Sequence, residues 1–257
     1  MNTPLSLFDV DEDRLRTIVA RTIEGADDGE LFVEHSESEA LMFDNGRLKT
    51  ANYNTDQGFG LRAVAGEATG YAHSSELSEA ALLRAADAVS AVKSGYSGTL
   101  ADAPPRTNRR LYGDENPTGS PTFEAKARLL QEIDAWVRAK DPRVRQVTAS
   151  LVSSWQQVDI LRADGHRVSD VRPLVRMNVS VVVGDGDRQE TGSYGAGGRK
   201  GFGDFLVEES WKHAAQEALR QALVNLEAVP APAGTFHIVL SSGWPGVMLH
   251  EAVGHGL

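Results

Sequence analysis

Residues 31–50 read L-F-V-E-H-S-E-S-E-A-L-M-F-D-N-G-R-L-K-T. Leu31-Phe32-Val33 and Leu41-Met42-Phe43 are short runs that favour a pleated, half-buried strand. Asp44-Asn45-Gly46 supplies the turn chemistry of a tight hairpin, with a return strand from Arg47. Further on, residues 58–64 alternate, with Phe59, Leu61 and Ala63 set against Gly60 and Arg62, and residues 68–72 form another short strand after Gly66. Four or five short strands in succession predict an antiparallel sheet.

Helices flank this block. Residues 11–24 carry Leu15, Ile18, Val19 and Ile23 at helical spacing with acids in the first turn. Ser78 is placed to cap a helix reaching Val92, with Leu82, Leu83, Ala86 and Val89 along one face. Residues 93–121 are rich in Gly, Pro, Ser and Asn, and read as a surface connection, with a lid or partner-contact loop as the functional alternative.

The order then repeats. Thr122 caps a helix over 123–140 that ends before Asp141-Pro142. Strands are expected at 144–154, 157–163, 166–183 and 188–194, with turns at Asp164-Gly165 and Gly184-Asp185-Gly186, and a helix over 211–226. The class is therefore α+β, mainly antiparallel sheets with packed helices in two similar halves, although no sequence repeat links them. Residues 230–234, P-A-P-A-G, break the last helix and lead to a strand at 235–240. This places an N-terminal domain at 1–229, with a subdivision near 94–121, and the start of a second domain at 230–257.

Composition bounds the function. With 257 residues, 41% of them hydrophobic, the chain can bury a sizeable core. A net charge of −10 and a pI near 5.2 disfavour nucleic acid and anionic membranes as partners. The absence of cysteine excludes disulfides and fits a reducing compartment. The start M-N-T-P-L-S-L-F-D-V-D-E-D lacks the basic, apolar pattern of a signal peptide, and no apolar run is long enough to span a membrane.

The chemistry concentrates at residues 243–257, G-W-P-G-V-M-L-H-E-A-V-G-H-G-L. Pro245 suits the first turn of a helix. Because Val247, Met248, Leu249, Ala252 and Val253 are apolar, that helix is expected to be buried. His250 and His255 bracket Glu251, and two imidazoles with an adjacent carboxylate are a zinc-hydrolase pattern. The spacing is H-E-x-x-x-H, one residue more than the familiar H-E-x-x-H. At roughly 100° per residue an i,i+5 pair diverges by about 140° on a regular helix. A π-turn near Ala252–Gly254 would bring both rings to one side. His250 and His255 would then hold Zn²⁺, and Glu251 would act as general base on a metal-bound water. A core placement of the two histidines is the alternative.

Other candidates are weaker. The stretch G-A-G-G-R-K-G-F-G at 195–203 fits neither G-x-G-x-x-G nor the P-loop, and reads as a turn or as backbone lying against a peptide or partner. Arg172 and Arg176 beside Pro173 offer a carboxylate site, with ordinary ion pairing the plainer reading. The remaining histidines are scattered singly; His237 is nearest the motif.

The terminal motif resembles the signature of the TldD family, the TldD/PmbA (TldD/TldE) metallopeptidases. The likeness extends to Y-N-T-D-Q-G-F-G-L-R-A-V-A-G-E-A-T-G-Y-A at 53–72, Q-V-T-A-S-L at 146–151, D-V-R-P-L-V-R at 170–176 and residues 222–234. The dipeptidyl peptidase III enzymes share only the H-E-x-x-x-H. The resemblance implies a cytoplasmic zinc peptidase that pairs with a related TldE/PmbA-like subunit and cuts unfolded peptides. It also implies a second domain beyond this motif and a cysteine as third zinc ligand there. With no cysteine here, the chain is expected to be the N-terminal portion of such a protein, and a non-catalytic scaffold or partner subunit is the alternative.

Overall fold

The computed structural model describes residues 3–102, 111–243 and 245–256. The readings placed on residues 103–110, on Trp244 and Leu257, and on Met1 and Asn2 lie outside the described residues. The chain divides into two compact units, Met1–Leu226 and Glu227–Leu257.

The first unit is built on one six-stranded antiparallel sheet. Its strands are β1 (Asp28–Asp44), β2 (Arg47–Ala65), β3 (Ala68–Ser74), β4 (Val144–Arg162), β5 (Arg167–Asp185) and β6 (Arg188–Gly198), in spatial order β3-β2-β1-β4-β5-β6. The helices are α1 (Glu12–Ile23), α2 (Glu79–Ser90), α3 (Phe123–Lys140), the one-turn α4 (Gly203–Leu206) and α5 (Glu208–Glu227). Each half runs helix, three-strand meander, helix. The two expected halves therefore share a single sheet, joined where β1 pairs antiparallel with β4.

The strands are longer than the apolar runs that announced them. Residues 34–39 are polar, yet they continue β1, because β2 on one side and β4 on the other satisfy its backbone along this stretch. The runs expected separately at 144–154 and 157–163 fuse for the same reason into β4. The hairpin turn forms as expected, with Asn45 at φ 48° and Gly46 at φ 80°, the left-handed region these residues tolerate. The helix starts are also where the capping residues put them. Asp11, Ser78 and Thr122 each accept a bond from the backbone N–H three residues on.

Apolar residues alternate along the strands and place the core on one face. Leu31, Val33, Phe59, Leu61 and Ala63 pack under α1 and α2. Leu41, Ala149, Leu151, Val175, Met177 and Val179 pack under α3 and α5. Helix α5 lies so close to β6 that a Cβ on Gly192 would stand 2.2 Å from the Ala218 carbonyl oxygen. Between the two cores the same face is polar. There Lys126 of α3, fully buried, pairs with Glu39 of β1 and donates to the carbonyls of Pro117 and Thr118 at 3.0 Å each. No helix among the described residues is long and apolar enough to cross a membrane.

Candidate metal centre

The second unit contains one helix, α6 (Pro245–Ala252), preceded by an irregular segment. Gly243, at φ 112°, turns the chain, and its carbonyl accepts from the Gly246 N–H at 2.9 Å. The last i→i+4 bond runs from the Val253 N–H to the Leu249 carbonyl at 3.0 Å; Gly254–Gly256 then form a 3₁₀ turn. The extra residue of H-E-x-x-x-H is thus absorbed by stopping the helix, where a π-turn was expected. Gly254 makes this cheap, because a Cβ there would meet His250 Nδ1 at 3.2 Å.

The stop brings the two imidazoles together. Ring centroids of His250 and His255 are 4.6 Å apart with planes at 70°. Glu251 Oε2 lies 3.5 Å from His255 Nε2. One ligand atom from each of the three residues falls within 4.8 Å of the others. Two donors at about 2.0–2.1 Å from one zinc ion are at most about 4.2 Å apart, so small side-chain rotations suffice to fit the ion. His255 and Glu251 are 66% and 63% exposed, which leaves them free to make those rotations. Among the described residues this is the one such group.

Two expectations fail in this unit. The helix is not buried: Val247, Met248, Leu249 and Val253 are exposed. Residues 235–240 form no strand, and Val239 is 95% exposed. Thirty-one residues with one short helix enclose too little volume to bury their own apolar side chains, and a strand without a paired neighbour has nothing to satisfy its backbone.

The remaining candidates disperse. Residues 195–198 are the end of β6, paired with β5, and side-chain atoms of Asn178 and Arg176 fill the space beside Gly195. Arg172 pairs with Asp170 at 2.7 Å, and Arg176 Nε donates to Asn178 Oδ1 at 2.9 Å. His73 stacks on Tyr71 and His213 meets Tyr194 edge-on. His237 is exposed and outside the metal-capable group.

The polar seam between the cores was not singled out from the sequence. Glu37 accepts from Asn116 Nδ2 at 3.0 Å and Thr118 Oγ1 at 2.6 Å, and lies 3.6 Å from His35 Nε2. Burial raises the pKa of this carboxyl, but hydrogen bonds from Asn116, Thr118, Tyr53 and His35 outweigh it and hold Glu37 below the usual carboxylate range. The period-two pattern His35, Glu37, Glu39 in a strand was the available signal.

With fold and donor geometry in view, the relatives fall into place. The description "PmbA/TldA metallopeptidase domain 1" matches residues 29–92, and "PmbA/TldA metallopeptidase central domain" matches residues 116–226. A metalloprotease TldD homolog from Haemophilus influenzae is 41% identical over 263 residues, covering 99% of this chain and 52% of that protein. TldE from Thermococcus kodakarensis has the same fold, with a TM-score of 0.65 at 14% identity over 82% of this chain and 47% of that one. A Thermotoga maritima protein described as a candidate modulator of a DNA gyrase gives 0.68 at 15% identity over 87% and 49%. The chain belongs to the PmbA/TldD family of metallopeptidases. It spans about half the length of the curated relatives it matches.

Proposed function

We propose that this chain supplies two metal ligands and the proton-transfer group of a zinc-dependent peptidase. The observation that carries the reading is the convergence of His250, Glu251 and His255 within 4.8 Å at a helix stop. His250 and His255 would hold the ion through neutral imidazole nitrogens. A zinc ion bound there would lower the pKa of its water to about 7 and polarise the scissile carbonyl. Glu251, next to His250 in the chain, would take the proton from the attacking water and pass it to the leaving amine. Family membership and the names of the relatives support a metallopeptidase.

Finer features of the reading are a cytoplasmic location, unfolded peptides as substrate, a TldE-like partner subunit, and residues 230–257 as the start of a catalytic domain. The fold shared with TldE supports the partner. A non-catalytic scaffold is the second reading. It is favoured by the ligand count, since a catalytic zinc takes three protein ligands and the group here offers two imidazoles and the carboxylate needed as base, with no cysteine in the sequence. Substituting Glu251→Gln in the protein as it occurs in the cell separates the two. Retained zinc with peptide hydrolysis lowered by about 10²–10⁴-fold supports the enzyme. Unchanged hydrolysis contradicts this role for Glu251.

A further inference from the structure

β3 pairs with β2 only from Phe59 onward, and β6 pairs with β5 only from Val175 onward. Among the described residues no strand pairs with the outer edge of β2 before Phe59, or with that of β5 before Val175. Such an edge is a row of unspent N–H and C=O groups. On β5 it is blocked. Pro173 removes a donor, Arg167, Asp170 and Arg172 add charge, and Tyr112 reaches Asp170.

On β2 the edge is bare. Residues 51–57, A-N-Y-N-T-D-Q, are all exposed, hold no proline and carry one charge, at Asp56. The chain itself sets the limits of the stretch. Past Gln57, β3 leaves the sheet over Gly58, where a Cβ would stand 2.9 Å from the Ser74 carbonyl oxygen. Before Thr50, the register with β1 slips between Met42 and Phe43 and leaves Lys49 out of the pairing. A strand laid opposite residues 50–56 therefore stops short of β3 at one end and of the β1–β2 turn at the other.

The two ends of this seat are oppositely charged. Arg47 and Lys49 lie at one end and Asp56 at the other, and among the described residues none of the three is in an ion pair. An added strand running antiparallel to β2, as β3 does, would bring a basic N-terminal residue to Asp56 and an acidic C-terminal residue to Arg47 and Lys49. Tyr53 stands midway, 56% exposed, as a cross-strand neighbour for a β-branched side chain. We propose that residues 50–56 of β2 seat an extended seven-residue peptide segment, antiparallel, with a basic N-terminal end and an acidic C-terminal end. Main-chain hydrogen bonds hold it by strand addition, and the end charges fix its direction. No residue of the metal centre takes part, so the seat stands whether or not the chain hydrolyses peptides.

Calorimetric titration of the metal-free chain with acetyl-K-V-T-V-T-V-E-amide tests this, the blocked termini leaving only the lysine and glutamate charges. Saturable one-to-one binding is expected. The reversed peptide, acetyl-E-V-T-V-T-V-K-amide, should bind about tenfold more weakly. Asp56→Lys changes an exposed residue opposite Ser36 of β1, and circular dichroism verifies its fold. It should weaken the first peptide by a similar factor and recover affinity with acetyl-E-V-T-V-T-V-E-amide. N-methylation of the valines in one peptide and of the threonines in another should abolish binding in one and spare it in the other, since only alternate residues bond to the edge. No saturable binding of the first peptide, as when another chain already covers this edge, would overturn the proposal. So would equal binding of the reversed peptide, unchanged affinity in Asp56→Lys, or N-methylated peptides that behave alike.

Discussion

Lys126 and Glu39 face each other across the polar seam that separates the two cores, the lysine with 0% of its side chain exposed and the glutamate with 12%. The lysine also holds the carbonyls of Pro117 and Thr118, so one ammonium ties helix α3, strand β1 and the end of the connecting segment together. Removing one member of such a pair strands the other charge. Lys126→Met is expected to cost about 3–5 kcal/mol in urea unfolding, with much of the loss recovered when Glu39→Leu is added. Additive losses in the double variant would show that the pair is not coupled.

Glu37 makes the seam sensitive to acid. Its folded pKa lies below the ordinary 4.5, so its contribution is complete above that value and is lost as pH falls through the lower folded value. Glu37→Gln should cost about 1–2 kcal/mol at pH 7. The gap between the parent chain and the variant should close as stability curves are taken from pH 5 downward. A gap that stays constant to pH 3 would assign the loss to packing and not to charge.

Gly192 is required by contact and not by backbone angle. A Cβ would strike the Ala218 carbonyl and the Ala222 nitrogen, both main-chain atoms of α5 that cannot swing aside. Gly192→Ala is expected to lower stability by about 1–3 kcal/mol as α5 lifts from β6. Gly113→Ala, whose Cβ would meet nothing within 4 Å, is the matching control and should stay near parent stability on thermal unfolding.

The local signals in the sequence were reliable where a single residue decides. Ser78 and Thr122 mark their helix starts, and Asp44-Asn45-Gly46 marks its turn. They misled where partners decide. Residues 34–40 carry no apolar run to announce a strand, yet Lys126, Asn116 and Thr118 come from far along the chain to meet their side chains. Residues 195–198 looked like a loop because they are rich in glycine, although β5 pairs them into a strand. At the candidate metal centre, the motif named the three residues that the structure brings together, His250, Glu251 and His255. How the extra residue is absorbed was not legible, because a π-turn and a helix stop serve the same spacing, and Gly254 permits either.

Zinc titration by calorimetry, run on the chain and on His250→Ala/His255→Ala, tests the metal centre most directly. One equivalent bound by the parent chain and none by the variant is the expected result. Equal binding by both would contradict a metal centre at His250 and His255.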